Sequence, residues 1–429
     1  METAVPFRDE DLAEEVRPVV HSAAAPEDAS FALAAQPPAG PFEAAGFQVL
    51  ACHWENQPNR TSRFPCAWPD FNNDRLQAFR QRYDFLSLMD GASSEFERLL
   101  LLRHWVHRAL QTERATERID RWTPDPLAVL DLSGSGARFQ CTQYAKVLQA
   151  CAVASGWCAR HVGIGSFNVP DELAYHHGVV DVFVNELAKW VALDAHYDLH
   201  YEKAGVPLSP YEIGEGYFRT KGAGVDICRG PGATRQEKNV LGTVAGAHES
   251  SRYYWNLHRW SFCDPFNLPS TRIPQQLMLV LVGERHQGQV WHQGDAKDVS
   301  TRHLHCGYTH GYFQFTRREA DVYPDLGTCR VELERSEKVK AVKVKVGTYT
   351  PNFDALLVKL DERPLRPVGF DVDWHVHAGE YLPELVFDWY LREGENRLGV
   401  CTRNKFGVLG RCSTVRAVLK SREEAGKQG

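Results

Sequence analysis

The chain has 429 residues, which suggests two or three domains, and 43% of them are hydrophobic, which is enough for full cores. Its formal net charge is −6 and its lysines and arginines form no runs, so the composition excludes the basic surface of a nucleic-acid-binding protein. No stretch approaches the ~18 consecutive apolar residues that a membrane span requires.

The cysteines and the N-terminus bear on the compartment. Eleven cysteines are present, with irregular spacing and no C-x-x-C pair, so neither a zinc ribbon nor a disulfide framework is indicated. Residues 1–10 contain neither the basic nor the apolar region of a signal peptide. These features predict a cytoplasmic protein, or a secreted one if a signal peptide was removed from the sequence.

The first half of the chain predicts an N-terminal arm followed by a core. Residues 1–45 are rich in alanine, proline and acidic residues and are predicted to be an extended arm. The core is predicted over residues 46–250, with a helix at 75–84 and another after Ser94, which matches a capping box with Glu97.

Cys141 is predicted to begin a helix. A glycine-rich stretch leads into it, apolar residues then recur at three- and four-residue spacing, and Gly156 ends the helix. A helix start exposes unpaired backbone N–H groups and the positive end of the dipole. These favour a thiolate and could also hold an oxyanion on a substrate carbonyl. The alternative is a small buried cysteine in a core helix.

Antiparallel strands are predicted at three runs after this helix: 157–164, 176–184 and 190–194. Residues 200–213 are predicted to be irregular. Residues 251–324 are predicted to be a connecting region packed on the core, with an aromatic helix or turn at 253–260.

The pattern changes over residues 325–421, where six alternating runs are separated by turn residues. Such runs are typical of an antiparallel β-sandwich, here predicted to be Ig-like. Residues 422–429 are predicted to be a tail. The predicted fold class is therefore α+β, with helices and sheet in the core and strands alone in the C-terminal domain.

A cysteine nucleophile needs a base, and the base needs an orienting group. His177 and Asp194 are the candidates. If their strands are joined by two or four residues, 185–186 or 185–188, both side chains point to the same face of the sheet, whereas three residues would place them on opposite faces. His176 is a rival base, but it faces away from His177, so only one of the two can meet Asp194.

Four motifs follow one another in the chain: Cys141-x-x-Tyr144-Ala145, Trp157-x-Ala-Arg160-x-Val162, His177-Gly-Val-Val-Asp-Val182 and Lys189-Trp-Val-Ala-Leu-Asp194. In this order they resemble the transglutaminase-like superfamily of papain relatives, over residues 75–215, and most closely its bacterial branch with an appended β-sandwich. The chain departs from the family at Val179 and Asp181, where tryptophan and glutamate are usual. The resemblance implies a papain-like core in which Cys141 is the nucleophile, His177 the general base and then acid, and Asp194 the orienting group.

Further side chains are candidates for oxyanion stabilisation or substrate positioning: Gln140, Gln143, Trp105 and His196. Packing explains each of them equally well. Two histidine-rich patches have a spacing that metal ligands can use: His196, Asp198 and His200, and His303, His305 and His310. Cleft or loop polarity explains both patches better, so neither a metal nor another cofactor is predicted.

These inferences predict a cysteine-dependent amide hydrolase of the protease or amidase type, which acts through a thioester acyl-enzyme with a catalytic triad. Its substrate would be a peptide, a glycopeptide or another amide. Two alternatives stay open. One is an acyltransferase or cross-linking transglutaminase, and the other is an inactive module that binds a glycan or a protein. The sequence leaves the oligomeric state undecided.

Overall fold

The computed structural model describes residues 42–44, 47–57, 59–64, 66, 68–110, 117–118, 125–135, 137–165, 176–220, 222–231, 235–238, 256–260, 277–281, 312–368 and 385–421. All of them lie in one compact unit, Ala32–Gly429. They combine helices with antiparallel sheets, which confirms the α+β class. None of the described helices is long and apolar enough to cross a membrane. The predictions for most of residues 1–45 and for 422–429 fall outside the described residues.

The described helices have these bounds: α1 Asp74–Arg82, α2 Phe85–Leu88, α3 Glu95–Leu110, α4 Pro126–Ser133, α5 Cys141–Ala154, α6 Pro210–Thr220 and α7 Glu319–Val322.

The described strands of the first part of the chain are β1 Phe42–Ala44, β2 Phe47–Glu55, β3 Glu117–Arg118, β4 Ala137–Arg138, β5 Ala159–Gly165, β6 His176–Val184, β7 Lys189–Leu193, β8 Leu199–Lys203, β9 Val206–Pro207, β10 Val225–Arg229, β11 Arg235–Lys238, β12 Asn256–Trp260, β13 Leu277–Leu281 and β14 Tyr312–Thr316. Those of the last part are β15 Cys329–Arg335, β16 Ala341–Thr348, β17 Phe353–Leu360, β18 Arg366–Val368, β19 Leu385–Tyr390, β20 Gly394–Asn404 and β21 Ser413–Ser421.

Helix α5 is the centre of the first core. All its residues from Gln143 to Ala154 are buried. Helices α1, α3 and α4 cover one side of α5, and strands β5 and β6 cover the other, with Ala159, Val180 and Val182 in the same core. These strands belong to a central six-stranded sheet in the order β14-β13-β12-β5-β6-β7. The helix is therefore fixed by the core from its first turn onward, while its first residue, Cys141, stays partly exposed.

A second core lies on the other face of the central sheet. It is formed by Val179, Phe183 and Trp190 of the sheet together with Leu199 and Ile227 of a smaller sheet in the order β11-β10-β8-β9. Two local predictions are wrong here. Residues 200–213 contain β8, β9 and the start of α6 rather than irregular structure, and the aromatic run at 253–260 contains β12 rather than a helix or turn.

The last part of the chain forms two antiparallel sheets that share a third core, here called the two-sheet unit. One sheet has the order β1-β2-β21-β20-β17-β18 and the other β15-β16-β19. All six runs predicted over residues 325–421 are strands. The predicted boundary at residue 46 is corrected, since β2 pairs with β21 from Phe47↔Ser421 to Glu55↔Thr414. Residues 47–55 therefore belong to the two-sheet unit rather than to the core that follows them in sequence.

Polar contacts join the two-sheet unit to the first part of the chain. The guanidinium of Arg60 donates to Asp325 at 3.0 Å, and the Trp68 indole donates to the Tyr349 hydroxyl at 3.0 Å. These contacts come from the segment between β2 and α1, so this segment attaches the two-sheet unit beside the central sheet.

Candidate active site

Cys141 is the first residue of α5, as predicted. Gln140 precedes it as the N-cap residue with an extended backbone. The Gln140 N–H donates to Oε1 of Gln143 at 2.9 Å, so a side chain one turn into the helix satisfies this N–H group. Cys141 itself is half-buried. Its own N–H is one of the groups at a helix start that have no partner within the helix.

His177 and Asp194 lie on one hairpin and face the same side. Strands β6 and β7 are joined by four residues, 185–188, and pair from Val184↔Lys189 to Val180↔Leu193. Nε2 of His177 lies 2.8 Å from Oδ2 of Asp194, and both side chains are buried. This confirms the prediction drawn from side-chain alternation. The side chain of the rival, His176, lies outside the described residues.

Asp194 is oriented by the turn that follows it. Its Oδ1 accepts the backbone N–H groups of His196 at 3.0 Å and Tyr197 at 3.1 Å. Its backbone N–H and C=O bond with Leu199, each at 3.0 Å, which closes the turn. One carboxylate oxygen is thus held by the backbone, and the other is left for His177.

The thiol and the imidazole form a coupled pair. The Cys141 sulfur is hydrogen-bonded to the His177 ring and to the Gly178 N–H. Because Nε2 of His177 faces Asp194, Nδ1 is the nitrogen left for the sulfur. Burial alone would raise the pKa of Cys141, but the charge of His177 and the hydrogen bonds hold it below the ordinary value.

The same environment acts in the opposite direction on the imidazole. Burial alone would lower the pKa of His177, but the charges of Asp194 and Cys141 raise it to about 10. The pKa of Asp194 is lowered, since the charge and hydrogen bond of His177 outweigh its burial. The lowered pKa of Cys141 and the raised pKa of His177 favour a thiolate and an imidazolium over a neutral thiol and imidazole.

Gly178 stands where a side chain would not fit. A Cβ at this position would lie 2.6 Å from Nε2 of His161 and 3.6 Å from the Cα of Thr142. The absence of a side chain therefore leaves room for the His161 ring, whereas the Cα of Thr142 lies at ordinary contact distance. The sequence analysis did not single out Gly178 or His161.

Helix α3 clamps the turn that carries Asp194. Arg103 is fully buried and donates to Oδ1 of Asp198 at 2.9 Å and to the Gly230 carbonyl at 2.7 Å. Nδ1 of His104 lies 2.7 Å from Oδ2 of Asp198, and Nδ1 of His107 donates to the Ala195 carbonyl at 3.0 Å. The sequence reasoning missed this clamp, although an arginine inside an apolar stripe was a visible signal.

The structure separates the candidates for oxyanion stabilisation and substrate positioning. Gln140 and Gln143 lie at the start of α5 beside Cys141, and Nε2 of Gln143 is buried without a hydrogen-bond partner among the described residues. Trp105 instead contacts the rings of Tyr83 and Phe85, at centroid distances of 5.6 and 5.9 Å, as part of the first core.

His196 lies beside the imidazole of the candidate site. Its ring centroid is 5.7 Å from that of His177 and 4.9 Å from that of Tyr144. Burial lowers the pKa of His196 to about 4, so the ring is neutral near pH 7. A neutral imidazole at this place lines the site without competing for the charge of Asp194.

The first histidine-rich patch, His196, Asp198 and His200, is not assembled into one cluster. Asp198 bonds to Arg103 and His104, while the rings of His196 and His177 are neighbours. His200 instead lies beside Glu202 and Cys228, with one ligand atom from each within 4.8 Å of the others. The other patch, His303, His305 and His310, lies outside the described residues.

The hydrogen bonds of His200 argue against a metal in this second cluster. Nη1 of Arg103 lies 2.7 Å from Nδ1 of His200. A guanidinium can only donate, so Nδ1 accepts and Nε2 carries the proton. That proton points to Oε1 of Glu202 at 3.1 Å. A metal on Nε2 would have to displace it next to a buried cation, so these bonds favour a hydrogen-bonded chain.

The comparisons with known proteins do not identify a family. No protein-family model matches the chain, and no curated protein matches it. The resemblance to the transglutaminase-like superfamily therefore stays a prediction that is drawn from four short motifs.

Proposed function

We propose that the protein is a cysteine-dependent amide hydrolase with Cys141, His177 and Asp194 as its catalytic triad. The observation that carries the proposal is the continuous hydrogen-bonded chain from the Cys141 sulfur through the His177 ring to the Asp194 carboxylate. A nucleophile, a base and an orienting group in this relation are the constellation of acyl-transfer enzymes.

The proposed first step is attack of the Cys141 thiolate on an amide carbonyl. The oxyanion that forms would be held by the Cys141 N–H at the start of α5, with the unpartnered Nε2 of Gln143 as the second donor. The His177 imidazolium then gives its proton to the nitrogen of the leaving amine. The C–N bond breaks and a thioester remains on Cys141.

The second step releases the acyl group. His177, now neutral, takes a proton from water, and the hydroxide attacks the thioester carbonyl. The carboxylic acid leaves, and the thiolate and the imidazolium are restored. Asp194 stays ionised throughout and stabilises the imidazolium. An amine in place of water would give transfer instead, by the same acyl-enzyme.

The finer fold assignment belongs to the same proposal. A helix that begins with the cysteine and packs on an antiparallel sheet that carries histidine and then aspartate supports a papain-like core of the transglutaminase-like type. The two sheets around the third core support an Ig-like β-sandwich, which the bacterial branch of that superfamily would append to the core.

Alkylation of Cys141 tests the proposal without a known substrate. The protein is treated with iodoacetamide between pH 5 and 9, and the labelled peptides are quantified by mass spectrometry. We expect Cys141 to react well below pH 8, and we expect His177→Ala to abolish this low-pH reaction because the thiolate loses its partner. Cys158 is the internal control, since burial raises the pKa of its thiol.

One result would overturn the proposal. In the protein without substitutions, the labelling of Cys141 would show the pH dependence of an ordinary thiol. That outcome would leave the inactive binding module as the better explanation. Given low-pH labelling, incubation with an amide library with and without a primary amine separates hydrolysis from transfer, since only transfer yields a new amide.

A further inference from the structure

Two cysteines of the two-sheet unit face each other at the base of a hairpin. On one side of Cys401, Val400 pairs with Ser413. On its other side, the Thr402 carbonyl accepts the Gly410 N–H at 2.9 Å. Cys401 on β20 is therefore opposed by the two residues that precede Ser413, one of which is Cys412, as in a β-bulge. The chain between the two cysteines is here called the 401–412 hairpin.

The two thiols are in contact. Cys401 is buried, Cys412 is half-buried, and the Cys401 thiol is hydrogen-bonded to the Cys412 sulfur. This hydrogen bond, helped by the charge of Lys359, lowers the pKa of Cys412 below that of an ordinary thiol. A lower pKa favours the thiolate, which is the form that attacks disulfides.

The strand geometry allows a bond between the two sulfurs. Opposed residues on antiparallel strands have Cα atoms about 4.5–5.5 Å apart. A disulfide needs a Cα separation of roughly 4.4–6.8 Å. Cys401 and Cys412 lie opposite each other at the bulge and their thiols are hydrogen-bonded, so the bond requires little movement of the backbone.

The tip of the 401–412 hairpin touches the end of the helix that Cys141 begins. Nδ2 of Asn404 donates to the Gly156 carbonyl at 3.2 Å. The ring of Phe406 lies edge-on to that of Phe71, with centroids 4.6 Å apart. The base of the hairpin holds the thiols, and its tip joins the two-sheet unit to the first core.

We propose that Cys401 and Cys412 form a reversible disulfide that fixes the 401–412 hairpin and its contact with Gly156. The oxidant is a small-molecule disulfide such as oxidised glutathione. The Cys412 thiolate attacks it, which forms a mixed disulfide and releases one thiolate. The Cys401 sulfur then attacks the sulfur of Cys412, its proton passes to solvent, and a second thiolate leaves. Two protein thiols are oxidised and one small disulfide is reduced to two thiols.

This disulfide does not depend on the proposed catalytic function. The thiols are part of the two-sheet unit, and the contact that they would fix is structural. The inference revises the expectation, drawn from cysteine spacing, that no disulfide is indicated. Spacing alone could not reveal a pair that a bulged strand register brings together.

Redox titration of the whole 429-residue chain tests the proposal. The protein is equilibrated with mixtures of oxidised and reduced glutathione, alkylated, and digested with trypsin without reduction. Cleavage after Arg403 and Arg411 separates the two cysteines, so the disulfide appears as one cross-linked pair of peptides. We expect this pair in oxidising mixtures, its loss in reducing ones, and its absence in Cys412→Ser. Cys158→Ser should leave it unchanged.

Hydrogen exchange of the same samples tests the fixing of the hairpin. We expect the Asn404, Lys405 and Gly410 amides, all hydrogen-bonded, to exchange roughly tenfold more slowly in the oxidised protein because local opening becomes rarer. A persistent mixed disulfide on Cys412, or a cross-link of Cys412 to the nearby Cys329, overturns the proposed pair. If the disulfide forms but the exchange rates of these amides do not change, the proposal that the disulfide fixes the hairpin is overturned.

Discussion

At the scale of single residues, the charge of the candidate triad decides its chemistry. The pKa of His177 is raised from 6.5 to about 10 and that of Cys141 is lowered. The thiolate–imidazolium pair therefore exists at pH values above the pKa of Cys141 and below that of His177. The thiolate is lost when the pH falls through the first value, and the imidazolium is lost when it rises through about 10.

The first prediction concerns Asp194→Asn. This change removes the negative charge that raises the pKa of His177, so the imidazole should titrate below pH 10 and the thiolate–imidazolium pair should be lost at a lower pH. We expect the upper pH limit of the pair to fall by one unit for each ~1.4 kcal/mol of lost interaction with the imidazolium. NMR of the His177 ring measures the first effect. An unchanged His177 midpoint would contradict the account of its pKa.

The second prediction concerns Gly178→Ala. The added Cβ would meet Nε2 of His161 at 2.6 Å, so the His161 ring must shift beside the start of α5, and we expect low-pH alkylation of Cys141 to fall by up to about tenfold. The double variant Gly178→Ala/His161→Ala should recover part of this rate, because it removes the obstructing ring. Gly134→Ala is the control, since nothing lies within 4 Å of its Cβ and its φ is −74°.

At the scale of secondary-structure elements, helix α3 supports the turn after β7. Its Arg103 side chain is fully buried and bonds to Asp198, which has a φ of +49° in that turn. A non-glycine residue with positive φ is strained and needs surrounding contacts to hold it. The clamp from α3 supplies them, and the same turn orients Asp194.

The third prediction tests this clamp with Arg103→Met. The variant leaves the Asp198 carboxylate buried without its guanidinium, so we expect the free energy of unfolding to fall by about 3–5 kcal/mol. Urea denaturation measures it. Arg98→Met, an exposed position on the same helix, should change stability by less than about 0.5 kcal/mol. Adding Asp198→Asn to Arg103→Met should restore part of the loss, and no recovery would contradict the pairing.

At the scale of the whole molecule, the end of α5 is where the two-sheet unit meets the first core. Gly156 has a φ of +103°, and a Cβ there would lie 2.7 Å from the Cβ of Phe406. This glycine thus serves two purposes. It ends the helix in the left-handed region, and it leaves room for the 401–412 hairpin.

The fourth prediction separates these two purposes. Gly156→Ala should destabilise the protein by the cost of a left-handed alanine, about 1–2 kcal/mol, plus the cost of displacing Phe406. Gly91→Ala carries only the first cost, because Gly91 has a φ of +81° and nothing within 4 Å. Thermal unfolding of both variants measures the difference in their loss of stability. Equal destabilisation would show that the hairpin does not press on Gly156.

The sequence by itself determined the features that depend on local periodicity. The start of α5 at Cys141, the shared face of His177 and Asp194, and the strands after residue 325 follow from repeats of 3.6 or 2 residues, which neighbouring side chains specify. These features place the three candidate catalytic residues on their elements, and two of them on one face.

Only the tertiary structure decided the contacts between elements distant in sequence. It assigned β2 to the sheet of β21, placed Arg103 under the turn of Asp194, set His161 against Gly178 and brought Cys401 to Cys412. Such contacts depend on how packed faces meet and on strand register at a bulge. Local propensity does not encode either of these, so a residue's partner across the fold cannot be read from its neighbours in the chain.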